Sequence, residues 1–488
     1  MSLVVLENLK TKIAKAEPFE GAPHIHLPAV IGASAGKPIL FRIPVTGLRP
    51  VTYGAQDLPE GLTITDNLLT GAVAKDGAYT FVLTAENALG VCHRTVTLEI
   101  AEGNVLVTPL LGYTTWNAFA SGVTQKDVEG IADRLVALGL TEYGYSYINT
   151  DSGWQGEYGG SFDAIQPNGK FPDMKAMTDK LHAHGLKCGI YSTPMLTAWG
   201  CPADMESIPG CTQGAPDPRF PSTNGGIGTV HKEANNARQW AEWGFDYLKY
   251  DWGPVTDPVN AELMRVELMR QPRDFGFCVT VRAIREFAEY WSKYCCSYRC
   301  NSDTYANRAN LAEVYESYFP FAEYVCKGHY FDLDMLDFGT CRLHVLWNAL
   351  TDDEKIMEFS MRAFLASPIQ ISSTLENVTD LELSIYANEE ILAIHQDCGF
   401  HAAKPLLRVK EGERRFDILE RELANGSYAY AIFNLGETEE CVTLAADAPC
   451  ALRDAWAKEE LTDTGALSLT VLPHTARILT AEARLGIG

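Results

Sequence analysis

Residues 110–151 read LLGYTTWNAFASGVTQKDVEGIADRLVALGLTEYGYSYINTD, and they hold one complete strand–helix–strand unit. An apolar run, LLGYTTWN, comes first. Thr124 then opens a helical pattern with Val128, Ile131, Ala132 and Leu135 on one face, the i, i+3, i+4, i+7 stripe. The strand-like YGYSYINTD follows. The same alternation continues downstream through KCGIYSTP from 187, YLKYDWG from 247, GFCVTVRA from 276, CSYRCNSD from 296, GHYFDLDML from 328 and PIQISST from 368. Helical patterns lie between these runs, and Thr351 with Glu354 makes a capping box ahead of one of them. Eight such units make a (β/α)8 TIM barrel the natural closure, expected over residues 106–400 of an α/β protein.

On both sides of this region the texture is β. Residues 36–105 carry PILFRIPV, YTFVLTAEN and HRTVTLEI, with turn residues in LPEGLTI and LLTGAVAKDG, and predict an immunoglobulin-like β-sandwich. Residues 401–488 carry FDILERE, GSYAYAIFN, ECVTLAA and LSLTVLP and predict an antiparallel β-sandwich. Residues 1–35 read as a short N-terminal helix and a Pro/Gly/Ala-rich linker.

Composition narrows the function. A net charge of −23 argues against nucleic acid, whose phosphates it would repel, and suits a neutral substrate such as a sugar. No apolar stretch approaches the roughly 20 residues of a membrane span. The first residues lack the basic start and cleavage site of a signal peptide, and 13 cysteines without framework spacing read as free thiols. A cytoplasmic location is the expectation, or a secreted one if a signal has been removed. Cys201 and Cys211 flank a loop and would bridge only in an oxidising compartment. The pairs His24-x-His26 and His182-x-His184 are not read as metal sites: the first lies in a linker and the second on a helix, where i, i+2 residues face apart. GlyGlyIleGly at 225–228 has no strand leading into it and is not a phosphate cradle. Assembly into a homo-oligomer is left open.

In such a barrel, catalytic groups sit at the C-terminal ends of the strands. Those ends carry Trp116, Asp151, Tyr191, Lys249 with Asp251, Arg299 with Asp303, and Asp332 with Asp334. Carboxylates ringed by aromatics and two cations are what a carbohydrate site needs. Asp251 is the candidate nucleophile, because Lys249 two residues earlier shares its face and a nearby ammonium favours an ionised carboxyl. Asp303 is the candidate acid/base, with Arg299 four residues before it to orient the substrate or tune that carboxyl. Asp332 and Asp334 share a face, and Asp334 is favoured for direct contact.

The ordered set GYTTWN at 112–117, YLKYD at 247–251, GHYFDLDML at 328–336 and AIHQD at 393–397 resembles glycoside hydrolase family 27 of clan D, which holds α-galactosidases and α-N-acetylgalactosaminidases. The resemblance runs from about residue 108 to the C-terminus. The LPxGL, TG and GxYxF order in the N-terminal part resembles immunoglobulin-like domains attached to bacterial glycosidases. The family resemblance implies a retaining exo-hydrolase that removes terminal α-galactose by double displacement, without metal or organic cofactor. It implies Asp251 as nucleophile and Asp303 as acid/base, with Arg299 at the family spacing before it. Trp116, Asp151, Tyr191, Lys249 and Asp334 match sugar-binding positions.

Two positions depart from the family pattern. Ser152 stands where a second aspartate usually helps hold a galactose hydroxyl. After strand five, CVTVRAIRE replaces a Cys-Glu-Trp-like segment that discriminates the C2 substituent, with Arg282 in its space. Ser152 motivates one alternative, the same mechanism on α-N-acetylgalactosamine or β-L-arabinopyranose; a second alternative, of another class, is a carbohydrate-binding protein that has lost catalysis.

Overall fold

A computed structural model of the chain describes residues 3–6, 11–194, 231–251, 258–280, 285–338 and 350–487. Its centre is an eight-stranded parallel sheet. We label the strands β1 (Leu111–Thr114), β2 (Tyr147–Thr150), β3 (Lys187–Ser192), β4 (Tyr247–Tyr250), β5 (Gly276–Thr280), β6 (Ser297–Arg299), β7 (Tyr330–Phe331) and β8 (Ile369–Ile371). Neighbours in sequence are neighbours in space from β1 to β7, and β8 lies on the free side of β1. The ring closes where Leu336, just past β7, bridges in parallel to Ile371 of β8. The Leu336 N–H donates to the Gln370 carbonyl at 2.9 Å and the Ser372 N–H to the Leu336 carbonyl at 2.7 Å. The sheet is therefore a (β/α)8 barrel.

The strands are buried on both faces, as parallel sheets covered by helices are. Inside, Gly189 of β3 leaves room for Asn149 of β2, since a Cβ there would stand 1.8 Å from Asn149 Oδ1. The helix Gln125–Ala137 buries Val128, Ile131, Ala132 and Leu135, the stripe read from the sequence, and Thr124 caps it in a capping box with Asp127. Thr351 and Glu354 cap the helix Asp352–Phe364 in the same way. No helix among the described residues is long and apolar enough to cross a membrane.

The C-terminal region supplies a six-stranded sheet and three strands of a four-stranded one, around their own core of Phe416, Ile432, Leu444, Leu467 and Leu479 among others. One face of this sandwich joins the barrel core, where the Trp456 indole donates to Ser360 Oγ at 2.9 Å. The N-terminal region forms a second two-layer β unit with a separate core that includes Val45, Leu69, Leu83 and Val96. Its larger sheet takes in Val30–Ala33, paired in parallel with residues 97–100. This unit docks on the loops that feed the barrel strands. Arg42 donates to Glu142 at 2.6 Å and to the His184 carbonyl at 2.9 Å, and Asp274 accepts from the Ser34 N–H at 2.7 Å. Glu142, His184 and Asp274 all precede strands, so the unit covers the entry end of the barrel and leaves the strands' C-terminal ends open.

The expected N-terminal helix is corrected. Among the described residues before 36 there is none; Val4–Leu6 is a strand that pairs in parallel with Leu467, Ser468 and Leu469 of the C-terminal sandwich. Alternating half-buried and exposed residues there fit a sheet edge that finds its partner more than 460 residues away. Every described cysteine is a free thiol. Cys201, Cys211 and Cys341, together with the 225–228 loop and Arg282, lie outside the described residues.

Candidate active site

The singled-out side chains converge at the exit end of the barrel because each sits at or just past the end of a strand. Parallel register fixes their order: Tyr191 of β3 lies beside Lys249 of β4, and Thr280 of β5 beside Arg299 of β6. Lys249 Nζ donates to Asp151 Oδ2 at 2.8 Å and lies 5.6 Å from the Tyr191 ring centre. The Tyr191 phenol hydrogen-bonds Asp251. The Asp251 N–H donates to the Ser192 carbonyl at 2.9 Å, which continues the β3–β4 ladder to the base of that carboxylate.

A second cation spans the other side. Arg299 reaches Asp303 Oδ1 at 2.8 Å through Nη2 and Asp334 Oδ2 at 2.6 Å through Nη1. Arg299 and Asp334 are buried, while Asp303 is 64% exposed and stands at the mouth. Asp334 has φ +67°, a left-handed conformation that side chains seldom adopt. It is held there from three directions. Its Oδ2 accepts from the Thr304 N–H at 2.9 Å, its own N–H donates to Asp332 Oδ1 at 2.8 Å, and Arg362 caps the carbonyls of Leu333 at 3.2 Å and Met335 at 2.7 Å.

The electrostatics follow from burial and partners. Burial alone would pull the Lys249 ammonium down, but Asp151, Asp251 and Asp334 together hold it above its ordinary value. Arg299 likewise stays charged against its burial through Asp334, Asp251 and Asp303. Burial, with Asp251 and Asp151 alongside, pushes the Tyr191 phenol well up, so it remains a donor. Burial also raises Asp332, with Asp334 adding to the push, to about 6. Asp334 is held below its ordinary value although burial opposes this, by Arg299, Lys249 and the Thr304 N–H. Two carboxyls two residues apart thus differ in charge preference because only one of them touches the guanidinium.

Trp116 stands at the same end, half-buried, on the one-turn helix Trp116–Phe119. Trp154, also just past a strand end, is fully buried and its indole donates to the Tyr191 carbonyl at 3.0 Å, so it supports the β3 end from behind. Ser152 is buried, and its N–H donates to Asp151 Oδ1 at 2.8 Å. Reading the sequence missed Thr280 and Asn301. Both are buried at strand ends, and Thr280 Oγ1 and both polar atoms of the Asn301 amide have no hydrogen-bond partner among the described residues. The strand-end rule could have found them; nothing in their residue type demanded it.

Known proteins resemble this chain over the barrel and the C-terminal sandwich. The family model described as alpha galactosidase A matches residues 108–213 and 220–397, and that of the alpha galactosidase C-terminal beta sandwich domain matches 413–481. Alpha-galactosidase A of Cellvibrio japonicus is 30% identical over 344 residues, covering 67% of this chain and 76% of that protein. A Bacteroides fragilis crystal structure, assigned as an alpha-galactosidase, aligns with TM-score 0.82 at 28% identity over 96% of this chain and 99% of its own. Alpha-galactosidase I of Mortierella vinacea aligns with TM-score 0.65 at 22% identity over 78% of this chain and 99% of its own, a likeness of fold.

Proposed function

The chain belongs to the alpha galactosidase A family of glycoside hydrolases, and on that footing we propose that it removes terminal α-linked galactose with retention, using Asp251 as nucleophile and Asp303 as acid/base. The observation that carries the assignment of roles is the sharing of two cations. Arg299 joins the exposed Asp303 to the buried Asp334, Lys249 joins Asp151, and both cations face Asp251. A half-buried carboxylate flanked by fixed positive charge suits attack on an anomeric carbon, and a carboxyl at the mouth suits proton transfer to a departing aglycone.

In the first step the Asp303 carboxyl gives its proton to the glycosidic oxygen as the C–O bond breaks. Asp251 adds to the anomeric carbon from the opposite face, and a galactosyl ester forms. In the second step the Asp303 carboxylate takes a proton from water, whose oxygen displaces Asp251, restoring both groups and the original anomeric configuration. Asp151, Lys249 and Asp334 have the chemistry to hold ring hydroxyls, with Trp116 and Tyr191 offering aromatic surface. No metal is called on in these steps.

The test is turnover of 4-nitrophenyl α-galactoside by wild type and Asp251→Ala side by side, with the anomer of the first product read by NMR. The expected result is α-galactose from wild type and a loss of about 10³-fold or more in the variant. Full turnover in Asp251→Ala, or β-galactose as the first product, would overturn the proposal.

A further inference from the structure

His24 and His26 lie outside everything above. His24 begins the strand His24–Ile25, paired with Val45–Thr46, so these residues are extended chain rather than loose linker. In extended chain, residues two apart share a face. Their rings stack with centroids 4.5 Å apart, and Tyr143 packs on His26 at 5.3 Å. Tyr143 precedes β2, which puts the pair at the entry end of the barrel, away from the carboxylate network.

A third group comes from far along the chain. Glu389 Oε2 lies 3.7 Å from His24 Nδ1 and 3.9 Å from His26 Nε2, and the three ligand atoms all fall within 4.8 Å of one another. Those separations are too long for hydrogen bonds. The two distances from Glu389 are a few tenths of an ångström above the roughly 3.4 Å between ligands on a tetrahedral ion with bonds of about 2.1 Å. The other Glu389 oxygen is held by Lys458 Nζ at 2.7 Å, which leaves Oε2 turned to the imidazoles. The His26 ring is 9% exposed and packed against Tyr143. Its present partner at Nε2 is the Thr46 hydroxyl, 2.8 Å away, which an ion would replace.

We propose that His24, His26 and Glu389 form a three-ligand site for a divalent transition ion of the Zn²⁺ class, remote from the sugar site and without a part in the chemistry. Two imidazoles and one carboxylate suit such borderline ions better than Mg²⁺ or Ca²⁺. The His24 side chain is 59% exposed, which gives an ion a path in and leaves its fourth position to water. The rings now lie 22° from parallel, so His24 turns about its Cβ–Cγ bond to aim Nδ1 at the ion. The Lys458 charge opposes the ion and sets a ceiling on affinity. Once filled, the site staples the N-terminal β unit to the barrel's last helix, Glu389–His395, whose first residue is Glu389.

The test uses the full chain, stripped with a chelator and titrated with Co²⁺, then with Zn²⁺ as competitor. The expected result is one Co²⁺ per chain with the visible absorption of a four-coordinate site, no thiolate-to-cobalt band, and a thermal midpoint that rises with Zn²⁺. His24→Ala and His24→Gln, both at an exposed position, should each weaken binding by about tenfold or more while leaving 4-nitrophenyl α-galactoside turnover unchanged. Absence of stoichiometric binding, or binding that survives both substitutions, would overturn the proposal. So would a thiolate band, which would put the ion at Cys188 beside His182 and Asp246 instead.

Discussion

Lys249 and Asp151 are an ion pair at 2.8 Å with the carboxylate 3% exposed and the ammonium 13% exposed. Removing one partner of such a pair strands the other. Lys249→Met should therefore cost about 3–5 kcal/mol in denaturant unfolding and abolish most turnover, and adding Asp151→Asn should return stability but not activity. Asp332 gives a pH prediction. Its folded value of about 6 lies above its ordinary 3.8, so the folded chain holds a proton that the unfolded chain releases. The stability this contributes is complete below about pH 4 and is lost as pH rises through about 6. Asp332→Asn keeps an acceptor for the Asp334 N–H and should remove a pH 4-to-7 slope of about 3 kcal/mol, measured by urea unfolding at both values. An unchanged slope would assign it to other groups. At this level the sequence was readable where period two sufficed, as for Lys249 and Asp251. It was silent on which of Asp332 and Asp334 meets Arg299, because that depends on a left-handed turn at Asp334 that no local signal announces.

The segment after β7 takes its shape from the helix Asp352–Phe364, through Arg362, which is itself buried with Glu358 at 3.0 Å. Arg362→Met should release the Leu333 and Met335 carbonyls and relax Asp334. We expect a stability loss of about 3 kcal/mol with a fall in kcat/KM, checked by thermal unfolding and initial rates. An unaltered kcat/KM in a folded variant would remove Arg362 from the support of the site. Elements of this kind were legible: the helix Gln125–Ala137 buries its predicted stripe, because its periodicity is written in consecutive residues. The reach of Arg362 across to β7 was not, since a buried arginine on a helix has many acceptors to choose from.

The barrel carries a β unit on each side, and the N-terminal one is joined through Glu142. That carboxylate is 5% exposed, accepts from Arg42 at 2.6 Å and forms an ion pair with Arg49 at 3.0 Å. Glu142→Gln should lower the midpoint of thermal unfolding through a loss of about 3 kcal/mol, while kcat at 25 °C stays near wild type, since the strand ends on the far side are untouched. A large fall in kcat would show that the entry end is coupled to the site. The order of β-rich, barrel and β-rich regions could be read from composition and period. Contacts between distant segments could not: neither Glu142 with Arg42 nor Glu389 with His24 leaves a trace in local pattern, and the strand at Val4–Leu6 looks like half a helix turn when its partner is out of view.

That strand has a temporal consequence. Val4–Leu6 leaves the ribosome more than 460 residues ahead of its partner, Leu467–Leu469. At about 5–20 residues per second the wait is roughly 25 to 90 s. Until then the segment is an unpaired β strand, and only synthesis past Leu469 can bury it. Protease access to Val4–Leu6 therefore reports whether synthesis has passed Leu469.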